Sequence, residues 1–385
     1  MLNIIFLGLV SFFADISSEM VYPIIPLYLT AAFGATPLLV GFIEGIAESL
    51  ASLLKVYSGY LTDKYQKKKP VAFIGYATGL IYKIALLVST SWTGILISRI
   101  IDRIGKGIRT SPRDVMVSES AKETNRGQAF GIHKALDMLG SAIGIILSYF
   151  ILLRFKDNTS SYKLIFIISI IPAVIALLMF IFIKEKNTVY PQKERQGFFN
   201  QFKNLDQKLK MYLLISMIFT LGNSSNSFLL LRANTAGFDA TSVILLYFIY
   251  NVTASLLAIP FGRMSDRFGR KNILITGYII FAVVYFGFGI ADTKIGFMLL
   301  FMLYGIYTAT TAGVERALIT DIAPANLKGT MLGLQQTIVG ISLFFASIIF
   351  GFLWNNFGSF IPFAFGATLS LISAILLMIT FRKRD

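Results

Sequence analysis

The chain has no cysteine and a single histidine, His133, in 385 residues. Disulfides, thiol nucleophiles and Cys/His zinc sites are thereby excluded, and neither a metal site nor a cofactor is expected. Charge is scarce as well, 14% of residues against 55% hydrophobic. Gly105-Lys106-Gly107 lacks the spacing of a P-loop and has no strand before it, so no nucleotide site is expected. No Ser-His-Asp or paired-carboxylate arrangement falls in a stretch that reads as a soluble cleft, which argues against an enzyme. What is abundant is apolar: 35 Phe and 17 Tyr, with a mean hydropathy of +0.71. No soluble core could absorb this much, so most of the surface must face lipid.

Apolar runs long enough to cross about 30 Å of hydrocarbon as helix recur along the whole chain. Twelve are read, at 4–31, 37–60, 70–91, 93–117, 127–154, 163–184, 210–232, 241–262, 272–291, 295–320, 329–354 and 358–381. They are numbered spans 1 to 12. The first carries Asp15 and Glu19 and has no basic leader, so it reads as a retained span and not as a cleaved signal. The expected fold class is an all-α membrane protein with 12 transmembrane helices.

The net charge of +15 is unevenly placed. Lys64, Lys67, Lys68 and Lys69 follow span 2; Lys184 to Lys210 holds a basic linker; Arg263, Arg267, Arg270 and Lys271 follow span 8; Arg382, Lys383 and Arg384 end the chain. The turns after spans 1, 3 and 11 have no Lys or Arg. By the positive-inside rule both termini and the linker are cytoplasmic, in the cell (inner) membrane. The basic excess then serves topology and anionic lipid, and no nucleic-acid partner is expected.

The polar linker splits the chain six plus six: residues 1–184 form an N-terminal bundle, 185–209 a cytoplasmic linker with a short amphipathic helix around Phe198 to Leu209, and 210–385 a C-terminal bundle. Internal similarity supports this division. "ASLLKVYSGYLTDKY" from Ala51 matches "ASLLAIPFGRMSDRF" from Ala254 at an offset of 203; "RGQAFG" from Arg126 matches "KGTMLG" from Lys328 at 202; "FGAT" from Phe33 matches "FDAT" from Phe238 at 205. One offset shared by three segments marks a duplicated six-helix unit, giving two pseudo-symmetric bundles with a substrate site expected between them.

The paired segments "GYLTDKYQKKKP" and "GRMSDRFGRKN" resemble the Gly-x-x-x-Asp-(Arg/Lys)-x-Gly-Arg-(Arg/Lys) loop of the major facilitator superfamily. The second fits in full; the first has Gln66 in place of glycine. "DRIGKGIRTSPRD" on span 4 and "DISSEMVYP" on span 1 resemble a prokaryotic branch of these permeases. The resemblance implies alternating access, with a conformational latch at Gly59, Asp63 and Lys64 and again at Gly262, Asp266, Arg267 and Arg270. Glycine would permit close helix approach, and Asp would accept N–H groups at a neighbouring helix N-terminus.

On span 4, Arg99, Arg103, Lys106 and Arg113 fall at spacings of four, three and seven, with Asp102 and Arg109 beside them, so one broad face is ionic. A charge facing lipid at mid-depth costs at least a few kcal/mol, so this face must line an interior. Possible partners are Asp15, Glu19, Glu44, Glu48, Lys55, Lys83, His133, Lys134 and Asp137. The second half carries Asn223 and Asn226 near the places of Asp15 and Glu19, and only Glu315 and Arg316 read as deep ions there. This asymmetry assigns proton coupling to the first half, with Glu19, Asp15, Glu48 and Asp137 as candidates in that order. His133 reads as a local hydrogen-bonding group. Substrate-cavity candidates are Tyr22, Arg99, Arg103, Asn223, Asn226, Tyr250 and Tyr307, with Tyr247, Asn251 and Tyr304 beside them. Pro23 and Pro26 are expected to break span 1, and Gly140 and Gly144 to give span 5 a close-packing face.

The expected activity is secondary active transport of a small organic solute, coupled to protons, with export by antiport ahead of symport, in a monomer. An alternative reads the Arg stripe as a clamp that makes the protein an organic-anion carrier for carboxylates or phosphate esters. A more remote one is a non-transporting membrane receptor or scaffold.

Overall fold

A computed structural model describes residues 2–65, 68–120, 126–155, 159–185, 206–323 and 328–381, with side chains described except at 55–65, 126–131, 320 and 328–330. Among these residues the chain is helical, without strands, and each helix pairs its backbone N–H and C=O groups internally, as hydrocarbon requires. The helices are Leu2–Val21 with Ile24–Phe33 (span 1), Pro37–Tyr65 (span 2), Lys68–Val88 (span 3), Trp92–Ser120 (span 4), Arg126–Phe155 (span 5) and Thr159–Met179 (span 6). They continue with Gln207–Gly222 and Asn226–Thr235 (span 7), Ala240–Phe268 (span 8), Arg270–Ile290 (span 9), Lys294–Thr311 with Val314–Ile322 (span 10), Lys328–Phe357 (span 11) and Phe360–Thr380 (span 12).

Eleven of these are long and apolar enough to cross a bilayer. Span 4 is a helix in its expected place but fails the apolar criterion, because its ionic stripe runs through the stretch that would otherwise qualify. The expected amphipathic helix around Phe198 to Leu209 lies mostly outside the described residues, and Leu209 opens span 7.

Two compact units emerge. Unit 1 comprises Met1–Thr36, Ile46–Gln192 and Ala233–Phe248; unit 2 comprises Pro37–Gly45, Lys193–Arg232 and Ile249–Asp385. Spans 2 and 8 are therefore each divided, their first turns belonging to one unit and the remainder to the other.

The duplication read from sequence reappears in how each unit is built. In unit 1, span 1 packs on spans 5 and 6, and span 3 on spans 4 and 6. In unit 2, span 7 packs on spans 11 and 12, and span 9 on spans 10 and 12. Adding six to each number of the first set gives the second.

The close approach of spans 1 and 5 depends on glycine. A Cβ at Gly140 or Gly144 would fall on the backbone carbonyl of Phe12 or Ile16, and Ser148 Oγ then donates to Met20 O at 2.8 Å. A core of Ile4, Leu7, Val10, Tyr76, Met116 and Phe180 fills the space between spans 1, 3, 4 and 6.

Three spans are interrupted. Span 1 breaks at Tyr22 and Pro23. Pro26 adds no second break, because it falls in the first turn of the next helix, where an amide N–H would be unpaired in any case. Span 7 breaks at residues 223–225 and span 10 at 312–313, neither at a proline. Pro112, Pro172 and Pro260 all sit inside continuous helices.

Candidate functional site

In unit 1 the span 4 stripe faces inward. Arg99 and Arg103 are 1% and 3% exposed. Arg99 Nη1 lies 3.7 Å from Asp102 Oδ2, and Arg103 Nε lies 3.9 Å from the same oxygen. Arg103 also forms a close ion pair with Glu48 of span 2. Both guanidinium groups sit over the ring of Tyr22, at 5.4 and 5.7 Å from its centroid. Tyr22 occupies the break in span 1, so the interruption delivers an aromatic face to two cations. Lys106, one turn along the stripe, is exposed.

The acidic pair of span 1 lies beside this cluster. Tyr247 of span 8 donates to Glu19 Oε2 at 3.3 Å, and its ring lies 5.9 Å from that of Tyr22. Asp15 makes no hydrogen bond or ion pair with any described residue. Further along, Arg113 pairs with Asp114 at 2.9 Å. Ser11 Oγ lies 2.9 Å from both Tyr76 Oη and His133 Nε2. His133 Nδ1 is 3.7 Å from Asp137 Oδ2, while Asp137 Oδ1 is buried with no hydrogen-bond partner.

Unit 2 is built differently. The break in span 7 falls at Asn223, Ser224 and Ser225, of which the two serines are buried. Asn223 Nδ2 donates to Tyr307 Oη at 3.0 Å, and Tyr285 Oη donates to Asn223 Oδ1 at 3.4 Å. Ser224 Oγ is 3.1 Å from Tyr285 Oη, and Tyr304 donates to Asn226 Oδ1 at 2.8 Å. The rings of Tyr250 and Tyr304 are 5.0 Å apart, those of Tyr304 and Tyr307 5.2 Å. This is a neutral network of amide and phenol groups with one aromatic wall.

Asn223, Asn226, Tyr250 and Tyr307 thus come together in unit 2, and Tyr22, Arg99 and Arg103 in unit 1. Glu19, Asp15, Glu48 and Asp137 all lie in unit 1 with distinct partners. Tyr247, grouped by sequence with the recognition tyrosines, belongs instead with Glu19 in unit 1. Tyr285 links Asn223 to Ser224 and was not singled out, since span 9 gave no polar signal.

Two ions depart from the expected pattern. Glu44 lies one turn from Glu48 on span 2 yet belongs to unit 2, where it is 1% exposed and accepts a 3.5 Å hydrogen bond from Ser225. Arg232 is a buried cation of unit 2, in addition to the Glu315 and Arg316 anticipated there. It donates to the carbonyls of Phe288 and Ala291 at 2.9 and 2.8 Å, capping the end of span 9.

In the loop after span 8, Asp266 pairs with Arg270 at 2.5 Å, and Arg270 also reaches Asp321 at 3.4 Å and Ser265 at 2.6 Å. Asp266, in the last turn of span 8, therefore engages the side chain of the first residue of span 9. A Cβ on Gly262 would meet no described atom within 4 Å. Arg267 lies over Phe268 at 5.5 Å. The side chains of the first copy, Gly59, Asp63 and Lys64, lie outside the described residues.

Two repeated units with interrupted spans and buried polar linings define a multi-pass membrane transporter. The chain belongs to the Major Facilitator Superfamily: the family's model matches residues 7–230 and 211–385. An uncharacterized MFS-type transporter of Methanocaldococcus jannaschii is 37% identical over 382 residues, covering 98% of this chain and 94% of the relative. Multidrug resistance protein MdtH of Photorhabdus laumondii is 22% identical over 328 residues, 84% and 79% of the two chains. The crystal structure of the nucleoside transporter NupG aligns over 100% of both chains with a TM-score of 0.80 at 15% identity. The protein is thus a secondary transporter of a small molecule and not an enzyme. The receptor or scaffold reading gives way to this membership.

Proposed function

We propose that the protein exports a small organic solute by proton antiport, through alternating access of an N-terminal bundle (1–184) and a C-terminal bundle (210–385) joined by a cytoplasmic linker. It does so as a monomer of the cell membrane with both termini cytoplasmic, and its basic loops meet anionic lipid and not nucleic acid. The observation that carries the reading is the pair of span 1 carboxylates. Among the described residues Asp15 has no pairing partner, and Glu19 is held by a phenol hydroxyl alone. Carboxylates so weakly tied inside a membrane protein can take up and release a proton as their surroundings change. Glu48 is bound to Arg103 and acts structurally, while Asp137 is a further candidate through its unpartnered oxygen. The neutral Asn and Tyr network of unit 2 recognises the shape of the solute. The name of the MdtH relative supports export.

The loop after span 8 and its counterpart after span 2 act as the conformational latch. The organic-anion reading would need Arg99 and Arg103 to release Asp102 and Glu48 before clamping a substrate. The test is thermal stabilisation of the purified protein by sugars, amino acids, organic acids, phosphate esters and lipophilic cations, at about pH 5.5 and about pH 8. Stabilisation by cations or neutral amphiphiles, stronger at the higher pH, is expected. Stabilisation confined to anions and lost in Arg103→Gln would replace antiport with the anion carrier.

A further inference from the structure

We propose that unit 1 binds one small monovalent inorganic anion, of halide size, between spans 1, 3, 4 and 6, where Lys83 and Arg109 converge. Both cations line a small pocket with room for about one water-sized particle, together with Ser18, Tyr76 and Gly79, backed by alanines of spans 1 and 6. Lys83 is 1% exposed and Arg109 7%. Neither makes a hydrogen bond or ion pair with any described residue. Their visible contacts are to rings: Lys83 Nζ is 5.0 Å from the centroid of Tyr82, and Arg109 Cζ 4.4 Å from that of Tyr76. An aromatic face steadies a cation but supplies no acceptor for its N–H groups.

The nearby acids do not fill that need. Asp102 is engaged by Arg99 and Arg103, and although it lies within electrostatic reach of Lys83 and Arg109 it forms an ion pair with neither. Asp15 lies within electrostatic reach of Lys83 and of Arg109, but pairs with neither. Buried charges without partners are costly, and two of the same sign raise the cost.

Geometry points to where the missing acceptor belongs. A Cβ built on Gly79 would lie 3.7 Å from Arg109 Nη1 and 4.0 Å from Lys83 Nζ. That point is a bond length from Gly79 Cα and cannot itself hold an ion, but it shows that both donors border the void beside the glycine. A water molecule placed there would accept from both but leave the like charges facing each other in low dielectric. An anion would accept from both and offset the charge. The pocket admits about one water-sized particle, which fits a halide and excludes phosphate and organic carboxylates. This site lies beside Asp15 on span 1 and is distinct from the solute network in unit 2.

The test is the unfolding midpoint of the purified protein in detergent, titrated with sodium chloride against sodium gluconate at matched ionic strength. The expected result is a saturable rise in chloride that gluconate does not reproduce, and that is lost in both Lys83→Met and Gly79→Ala. The second variant keeps both cations and narrows the void they border with a methyl at ordinary contact distance, so it decides the matter even if Lys83→Met does not fold. Equal midpoints in the two salts, or an undiminished chloride response in Gly79→Ala, would overturn the proposal and leave the pocket to water.

Discussion

Replacing Glu48 by glutamine removes the acid that pairs with Arg103, and the consequence can be worked from its neighbours. Arg103 is 3% exposed, and a second acid beside it, Asp102 at 3.9 Å, is shared with Arg99. Removing one partner from a buried ion pair costs about 3–5 kcal/mol when nothing else compensates. The shared Asp102 and the ring of Tyr22 compensate in part, so the expected loss is about 2–3 kcal/mol. A unit of this size shifts by roughly 2–4 °C per kcal/mol, so the unfolding midpoint in detergent should fall by roughly 4–12 °C. Changing both residues, in Glu48→Gln with Arg103→Met, removes the stranded charge and should recover most of that loss, a coupling of about 2 kcal/mol in a double-mutant cycle. A Glu48→Gln protein whose midpoint stays within about 1 °C of the parent would refute the reasoning, as would a double variant worse than the two singles combined. Glu48 would then return as a proton carrier.

Other expectations follow from the same geometry. Glu19→Gln should abolish proton-coupled flux while preserving solute exchange across liposomes. Tyr247→Phe, losing one hydrogen bond worth about 1 kcal/mol, should weaken coupling roughly fivefold in the same assay. Asn226→Leu leaves the Tyr304 hydroxyl without its acceptor and should lower solute affinity by about tenfold to a hundredfold, a cost of about 1–3 kcal/mol, read by equilibrium binding; an unchanged affinity would remove the unit 2 network from recognition. Gly144→Val drives a side chain into the Ile16 carbonyl and should destabilise the protein by about 1–3 kcal/mol, read as a lower unfolding midpoint.

Much of the architecture was legible because membrane helices are set by length and apolarity, and the duplication by one sequence offset. The repeated order of neighbours, span 1 on spans 5 and 6 and span 7 on spans 11 and 12, is that offset in three dimensions. Span 4 was readable as an interior helix only through its charge, since its hydropathy fails. The proline in span 1 announced a break. The breaks at residues 223–225 and 312–313 carry no proline, and their polar or small residues are common in unbroken spans.

Pairing was far less legible. Glu44 and Glu48 stand one turn apart and read as a unit, yet they are divided between units because span 2 changes neighbours along its length. Arg232 was hidden at the end of an apolar run; its carbonyl partners at Phe288 and Ala291 lie more than fifty residues away. Lys83 and Arg109 each appeared as one basic residue among several. That they border one void beside Gly79 is a matter of packing, and spacing along two separate helices does not report that.

The central claim is that span 1 carboxylates tie proton movement to solute movement. It is tested most directly by reconstituting the protein in liposomes that hold a pH-sensitive dye in an acidic lumen, and adding outside a solute found to bind. The account predicts that solute entry is accompanied by proton release and a rise in lumen pH, and that Glu19→Gln exchanges solute without that rise. Solute entry with an unchanged lumen pH in the parent protein would contradict it.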